Sequence, residues 1–311
     1  MPVQAIFSSH TPLMDFHDPD PGVRDAVERC FAELRGAVAA FNPERVIVMG
    51  PDHFNGFFYR VMPSFCVGAA ATSVGDWATP SGALNVDVSL AERCVSSMHR
   101  GGVDVAISYD MDVDHGISQI INQLFEWQQM PTVLPVFINC AAPPRPPIAR
   151  VVRFGQRLGE FVDELGGRTL MIASGGLSHD PPLPQLADAS PPVRDRLVQG
   201  GTLNPEARQA RQQRVLDDAA NQAQGISDRL PLNPEWDQKF LQRLASFDFA
   251  DIGEMTDETI TREGGCGGHE IRSWIAVAAA SQAAGVAKLE QLYYRAIPQW
   301  VAGFGIMRSE A

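Results

Sequence analysis

Short apolar runs that each end just before a histidine constrain the fold of this chain more than any other feature. We interpret five of the seven histidines as lying just past strand-like runs. They are His10, His53, His115, His179 and His269, and Glu270 follows directly on the last of them. In an open α/β sheet, the loops that leave the carboxyl ends of parallel strands meet at one edge, where ligands bind. The pattern therefore predicts that side chains from distant parts of the sequence lie together at one sheet edge.

Strand-like and helical segments alternate along the chain. Short runs rich in β-branched residues predict strands at residues 3–7, 45–50, 104–109, 132–139 and 169–176. Apolar residues at helical spacing predict a core-facing helix at 23–40, and further helices are predicted near 118–129 and 148–165. Residues 205–225 are charged and rich in Gln and Ala, which predicts an exposed or bundle helix, whereas the alanine-rich, apolar residues 269–284 predict a buried one. Another helix starts with Asn233 as N-cap and Pro234 at its first position. The alternation predicts a single catalytic α/β domain over residues 1–311, with a helical insertion or cover around 190–265.

Composition narrows the class of protein. The net charge of -12 argues against a general affinity for nucleic acid or for an anionic membrane, both of which basic patches attract. No apolar run of about 18 residues predicts a transmembrane helix, and the amino terminus does not resemble a secretory signal. The five cysteines are an odd number without a C-x-x-C pair, which favours reduced thiols. These features predict a cytoplasmic protein.

The best metal site by residue type combines His10, His53 and Glu270. Two neutral imidazoles and one carboxylate leave coordination positions open, an arrangement that suits non-haem Fe(II) and lets it bind substrate and O₂ together. Any one of these histidines alone would more often be a buried polar residue. Five of them at one sheet edge favour a common site with acid–base chemistry.

Compact catalytic motifs do not account for these residues. His269-Glu270 begins like H-E-x-x-H, but Ser273 occupies the position of the second histidine. Ser178 is not part of a G-x-S-x-G elbow, which would expose a serine nucleophile. The glycines at 264–268 lack the Lys-Ser/Thr of a phosphate loop, so we interpret them as flexibility at the mouth of a site.

Six segments carry a resemblance to a known family. SHTPLM, GPDHFNGFFY, MDVDHG, SGGLSHDPP, HEIRSW and IPQWVAGFG stand in the order and at the intervals of class III extradiol catechol dioxygenases, over nearly the whole chain. The resemblance implies an α/β fold like that of the protocatechuate 4,5-dioxygenase β-subunit, with a central mixed β-sheet flanked by helices. It also implies an Fe(II)-dependent oxidoreductase that opens a catechol ring with O₂ and forms a homo-oligomer.

Carried over position by position, the resemblance implies that His10, His53 and Glu270 bind Fe(II). It implies that His115 and His179 are an acid–base pair. We expect His179 to accept a proton from the catechol and His115 to donate one during ring cleavage, and the reverse assignment stays open.

Three further residues have no firm role at this point. Asp52 and Asp114 directly precede histidines and could orient the imidazoles, although loop carboxylates are more often solvated. For His269, support of the neighbouring metal ligand is favoured over a surface position.

The resemblance is strongest to family members that cleave 3-(2,3-dihydroxyphenyl)propionate, and we extend the expectation to the cinnamate analogue, with a 2-hydroxy-6-oxo-dienedioate as product. Such a substrate brings a carboxylate into an acidic protein. Arg145, Arg272 and Arg295 are candidates to bind it. The aromatic side chains between residues 54 and 59 could contact the ring, and ordinary core packing is an equal alternative.

Two other classes of function stay open on the residues alone. A metal-dependent hydrolase could use the same histidines and Glu270 to activate water on Zn²⁺. A non-catalytic relative could serve as a partner subunit, but it would tolerate loss of the five histidines, which are all present.

Overall fold

The computed structural model describes residues 2–201 and 203–310. Its strands are β1 Val3–Ser8, β2 Arg45–Gly50, β3 Phe65–Gly68, β4 Ala71–Val74, β5 Ser81–Ala83, β6 Ala106–Ser108, β7 Met111–Val113, β8 Thr132–Ile138, β9 Thr169–Ser174, β10 Leu289–Ile297 and β11 Ala302–Ser309. Eight of them form one sheet in the order β10-β11-β1-β9-β2-β8-β3-β6. Strands β1, β9, β2 and β8 are parallel neighbours, whereas β11 and β3 join this group antiparallel to β1 and β8. The sheet is therefore mixed, as expected.

The helices are α1 Val23–Phe41, α2 Val88–Arg100, α3 His115–Leu124, α4 Ile148–Leu165, α5 Pro191–Gln199, α6 Pro205–Ala223, α7 Pro234–Ala245, α8 Phe249–Gly253, α9 Asp257–Gly264 and α10 Ile271–Ala283. Asn233 caps α7 as predicted, because its side chain accepts a hydrogen bond from the Trp236 amide at 3.1 Å. Helices α5 to α9 occupy the region in which the sequence predicts a helical cover. The division into one catalytic domain with such a cover stays a prediction.

Alternate residues of the central strands enter two apolar cores, one on each face of the sheet. On β1, Ala5 and Phe7 pack toward α2, α4, α7 and α10, whereas Ile6 packs toward α1 and α3. Both cores consist of buried aliphatic and aromatic side chains, which places helices on both sides of the parallel strands. None of the helices over the described residues has the length and apolar character needed to cross a membrane.

Helices α4 and α10 approach each other closely because α4 has glycines at the contact. A Cβ atom added at Gly155 or Gly159 would collide with the backbone carbonyl of Ala276 or Ala280 on α10. Helix α10 is alanine-rich and buried along its length, so the two helices pack with little side-chain bulk between them.

Several elements differ from the sequence-based expectation. The predicted strand at 104–109 is shorter, and the chain continues into β7, which belongs to a separate three-stranded sheet with β4 and β5. Helix α3 begins at His115 instead of 118, because the side chain of Asp114 caps its amino terminus. It ends at Leu124. His269 does not follow a strand. It lies in a short 3₁₀ turn, Gly268–Glu270, between α9 and α10.

We expect Gly159→Ala to lower the free energy of unfolding by about 1–3 kcal/mol, because the added methyl group overpacks the contact with Ala280. Gly36→Ala is the matched control, since Gly36 lies within α1 and nothing lies within 4 Å of the position its Cβ would take. For Gly36→Ala we expect the free energy of unfolding to rise by up to about 1 kcal/mol, because alanine has a higher helix propensity than glycine. Urea unfolding measures both. Equal effects in the two variants would contradict the close packing of α4 on α10.

Candidate active site

Three histidines follow three neighbouring parallel strands at their carboxyl ends. His10 comes after β1, His179 after β9 and His53 after β2, and the strands lie in the order β1-β9-β2. His115 reaches the same place from the amino terminus of α3, and its ring stacks on that of His53 with centroids 4.3 Å apart. The ring of His10 stands edge-on to both, with centroid distances of 5.4 Å. Four of the five predicted site histidines thus come together.

The carboxylate of Glu270 lies among these imidazoles. Its Oε1 is 3.2 Å from Nε2 of His53 and 3.5 Å from Nε2 of His179. Its Oε2 is 3.5 Å from Nε2 of His10 and accepts a hydrogen bond of 2.6 Å from the Gly176 amide. Only 5% of the Glu270 surface is exposed, so the charge is almost completely removed from water.

The protonation states of His10 and Glu270 suit metal binding. Burial lowers the pKa of His10 to about 3, so its ring is neutral at physiological pH and offers a lone pair. Burial alone would raise the pKa of Glu270, but His10, His179 and His53 together hold it well below its usual value. Ring nitrogens of His10, His53 and His115 also lie within 4.8 Å of one another. A donor set of imidazole nitrogens and one carboxylate fits Fe(II).

Hydrogen bonds at Nδ1 orient His10 and His53. Nδ1 of His10 lies 3.0 Å from the hydroxyl of Ser174, the last residue of β9. Nδ1 of His53 lies 3.1 Å from the carboxylate of Asp114, which also accepts from the His53 amide at 2.8 Å. With Nδ1 engaged, Nε2 of each ring is the atom that faces Glu270.

The other two imidazoles are oriented in the same way. Nδ1 of His179 donates to the carbonyl oxygen of Leu177 at 2.9 Å, and Nδ1 of His115 donates to the carboxylate of Asp76 at 2.6 Å. A carbonyl or carboxylate oxygen only accepts, so each neutral ring carries its proton on Nδ1. Nε2 is then the atom available for proton exchange in both histidines.

Carboxylates near His53 and His179 favour their charged forms. Burial opposes this, but Asp114 and then Glu270 raise the pKa of His53 well above its usual value. For His179, burial is likewise outweighed by Glu270, and the pKa is raised. A cation bound by Glu270 would take the place of these ring protons as the positive partner of its carboxylate.

Glycines allow the close packing around Glu270 and His179. A side chain at Gly176 or Gly267 would overlap the His179 ring, and one at Gly175 would press on Glu270. The glycines at 264–268 are buried, so their role is close approach and not flexibility at a site mouth. The site thus requires glycine on two separate segments.

His269 and Asp52 lie outside the imidazole cluster. His269 is fully buried, with Nε2 2.8 Å from the Thr261 hydroxyl and Nδ1 accepting from Arg272 at 2.8 Å. It therefore belongs to the packing between α9 and α10, and among the described residues its ring forms no hydrogen bond with Glu270. Asp52 accepts amide hydrogen bonds from Gly56 at 2.9 Å and Phe57 at 3.1 Å, so it shapes the loop after β2 instead of orienting an imidazole.

A cavity of about 620 Å³ opens beside the histidines. His10, His53, His115 and His179 line it. The aromatic side chains that line it are Trp77 and Trp300, whereas none of those between 54 and 59 do; Phe57, for example, stacks on Phe137 in the core.

The arginines expected to bind a substrate carboxylate lie elsewhere. Arg272 is fully buried against Asp257, Arg145 pairs with the same carboxylate, and Arg295 pairs with Asp20 at the surface. The arginines that do line the cavity are Arg196 of α5 and Arg211 and Arg214 of α6.

Asp76 contacts His115 and was not predicted from the sequence. This residue lies in a turn where Gly75, Trp77 and Ala78 all have positive φ, and its carboxylate bonds both the amide and the ring of His115. The GDW sequence is only a weak turn signal. The helical periodicity of residues 205–225 could have shown that Arg211 and Arg214 share the face of Val215.

Comparison with known proteins decides the family. Residues 4–305 match the family described as the catalytic LigB subunit of aromatic ring-opening dioxygenase. The chain belongs to this family. It is 46% identical, over all of its own length and 99% of the relative's, to a 2,3-dihydroxyphenylpropionate/2,3-dihydroxicinnamic acid 1,2-dioxygenase of Cupriavidus pinatubonensis. An enzyme of the same name from Rhodococcus jostii is 43% identical over 100% and 99% of the two lengths.

One solved structure shows the fold alone. An uncharacterized protein from Escherichia coli K12 superposes with a TM-score of 0.50 over 98% of both chains, at 14% sequence identity. The family membership bears out the resemblance seen in the sequence, its α/β fold and the expectation of a ring-opening dioxygenase. It also implies a metal cofactor.

We expect Asp114→Asn to weaken binding of a divalent metal about 10- to 100-fold, because the His53 imidazole loses the carboxylate that orients it. Titration of the metal-free protein, followed by metal analysis after dialysis, measures this. Asp112→Asn is the control, since Asp112 lies two residues earlier, on β7, with its side chain exposed. If both variants bind metal as the parent does, Asp114 has no part in positioning the ligand.

Proposed function

We propose that this chain is an Fe(II)-dependent extradiol dioxygenase that inserts O₂ into 3-(2,3-dihydroxyphenyl)propionate and its cinnamate analogue, giving a 2-hydroxy-6-oxo-dienedioate. The observation that carries the proposal is the buried Glu270 carboxylate within 3.5 Å of Nε2 of both His10 and His53, beside two further imidazoles. The names of the relatives support the substrate, and the cavity beside the cluster supports a ligand of that size.

His10, His53 and Glu270 are the residues that would hold the metal. Two nitrogen ligands and one oxygen ligand leave positions for the two catechol oxygens and for O₂. Bound Fe(II) supplies a cation that favours the catecholate and a path for electrons between the aromatic ring and O₂.

His179 is proposed to accept a proton from the catechol. Its Nδ1 is committed to the Leu177 carbonyl, so Nε2 is the accepting atom. Nε2 lies 3.5 Å from Oε1 of Glu270, whose negative charge stabilises the imidazolium that forms.

His115 is proposed to donate a proton from Nε2 during ring cleavage. Asp76 holds Nδ1 at 2.6 Å, which fixes the ring while Nε2 faces the cavity. Protonation assistance of this kind contributes roughly 10²–10⁴-fold to rate. The ring of His115 stacks on that of His53, so a proton donor at His115 would lie directly beside a proposed metal ligand, which supports this role.

We propose a single catalytic domain whose helices α5 to α9 cover the cavity, a cytoplasmic location and a homo-oligomeric state. Residues from α5 and α6 line the cavity, which supports the covering role.

Aerobic incubation of the Fe(II)-loaded protein with 3-(2,3-dihydroxyphenyl)propionate tests the activity. We expect consumption of one O₂ per catechol and a yellow dienoate product, followed with an oxygen electrode and by absorbance. A metal-dependent hydrolase that uses the same residues would consume no O₂. Absence of both signals with fully loaded iron would overturn the proposed function.

Variants of Glu270, His115 and His179 separate metal binding from proton transfer. We expect Glu270→Gln to lose most iron, because an amide does not replace the negative charge. His115→Gln and His179→Gln should each retain iron and lose roughly 10²–10⁴-fold in kcat. Iron analysis and steady-state kinetics measure the two effects.

The matched control is His99→Gln. His99 is exposed and bonds the Val105 carbonyl at 2.9 Å, outside the cavity lining. It should change neither iron content nor kcat. Full turnover in His115→Gln would remove this residue from the mechanism, and unchanged iron in Glu270→Gln would remove that residue from the ligand set.

A further inference from the structure

The cavity beside the histidines has a charge opposite to that of the whole chain. Its charged lining side chains are three arginines, Arg196, Arg211 and Arg214, and within the described residues no aspartate, glutamate or lysine lines it. The chain as a whole carries a net charge of -12. An acidic protein that gathers guanidinium groups around one cavity favours an anionic ligand there.

Helix α6 supplies two of these arginines from a single face. Ala207, Ala210, Arg211, Arg214 and Val215 all line the cavity, and their spacing is that of residues on one side of an α-helix. Small alanine side chains precede the arginines, so the helix approaches the cavity closely. Arg211 and Arg214 are one turn apart and are therefore neighbours on this face.

The three arginines differ in how far they are already committed to other groups. Nη2 of Arg211 donates to the carbonyl oxygen of His53 at 2.5 Å, which ties α6 to the loop of a proposed metal ligand. Nη2 of Arg196 donates to the Phe54 carbonyl at 3.1 Å. Arg214 forms neither a hydrogen bond nor a salt bridge with any residue that the structure describes, so its guanidinium is available to a ligand.

We propose that Arg214, assisted by Arg211, binds the carboxylate of the substrate side chain and so selects catechols that carry a short acidic chain. The inference rests on the proposed function, because it assumes that the catechol oxygens are held at the histidine end of the cavity. The carboxylate then extends toward α6, where a guanidinium can bind it through two parallel hydrogen bonds. Arg196 contributes positive charge at the same cavity without a direct contact.

This assignment separates recognition from chemistry. His10, His53 and His179 come from the sheet edge, and His115 and Glu270 come from the starts of α3 and α10, whereas Arg214 lies within α6. Arg214 therefore affects which catechol binds and leaves the reacting atoms alone. Its removal should raise KM for an acidic substrate while kcat changes little.

The experiment compares two substrates of equal chain length on the Fe(II)-loaded protein. One is 3-(2,3-dihydroxyphenyl)propionate, and the other is the neutral 3-propylcatechol. We expect Arg214→Gln to lower kcat/KM for the acid about 10- to 100-fold, mainly through KM, which is the usual size for loss of one hydrogen-bonded charge pair. The value for 3-propylcatechol should not change. Arg214→Lys should restore part of the loss, because it retains the charge but not the two-pronged geometry.

Arg208→Gln is the matched control. It removes the same charge from the same helix, but Arg208 donates to the Val74 carbonyl at 3.4 Å and does not line the cavity. An equal loss in Arg208→Gln would indicate a general field effect and overturn the assignment. An unchanged preference in Arg214→Gln, or an equal loss on both substrates, would also overturn it. If the parent enzyme cleaves neither catechol, the proposed function itself fails.

Discussion

The burial of one carboxylate sets the conditions for the rest of this site. A charged group that leaves water loses several kcal/mol of solvation unless partners replace it. Around Glu270 the partners are three Nε2 atoms of His10, His53 and His179 and the amide of Gly176. Protonated imidazoles and a divalent cation both satisfy this carboxylate, so the arrangement that pairs the charge is also a metal-binding arrangement.

The sheet brings these groups together without long excursions of the chain. Because β1, β9 and β2 are parallel neighbours, three imidazoles come out at one edge within a few residues of their strands. The fourth group, Glu270, arrives at the start of α10, which is packed against the sheet. Gly175 and Gly176 provide the space, and the Gly175 carbonyl accepts a hydrogen bond from the Trp274 indole at 2.8 Å, which anchors α10 there.

The residues differ in how far sequence alone could predict them. His10, His53 and His179 each follow a buried apolar run, so local pattern and the rule for parallel strand ends suffice to bring them together. Asp76 is different, because it reaches His115 across 39 residues from a turn of unusual backbone, and no local pattern relates the two. The prediction that His269 follows a strand was wrong, because the glycine-rich segment before it joins two helices.

The helical region posed a different problem. The charged residues of 205–225 predicted an exposed or bundle helix, and Arg214 is exposed. Exposure to bulk solvent and exposure to a cavity look alike in sequence, because both favour polar side chains. Only tertiary packing shows that the arginine face of α6 is turned toward the histidines.

The cavity is lined by side chains from the sheet edge and by arginines from the helical cover, and substitutions in these two parts have different effects. The proposed metal ligands and proton-transfer histidines are fixed by the sheet edge, by the Asp114 and Asp76 carboxylates and by buried glycines, so small changes there disturb several contacts at once. Arg214 of α6 is exposed and makes none of these contacts, so a substitution there costs little stability. Under the role proposed for Arg214, substrate preference can therefore vary through α6 while the ring-opening chemistry is kept.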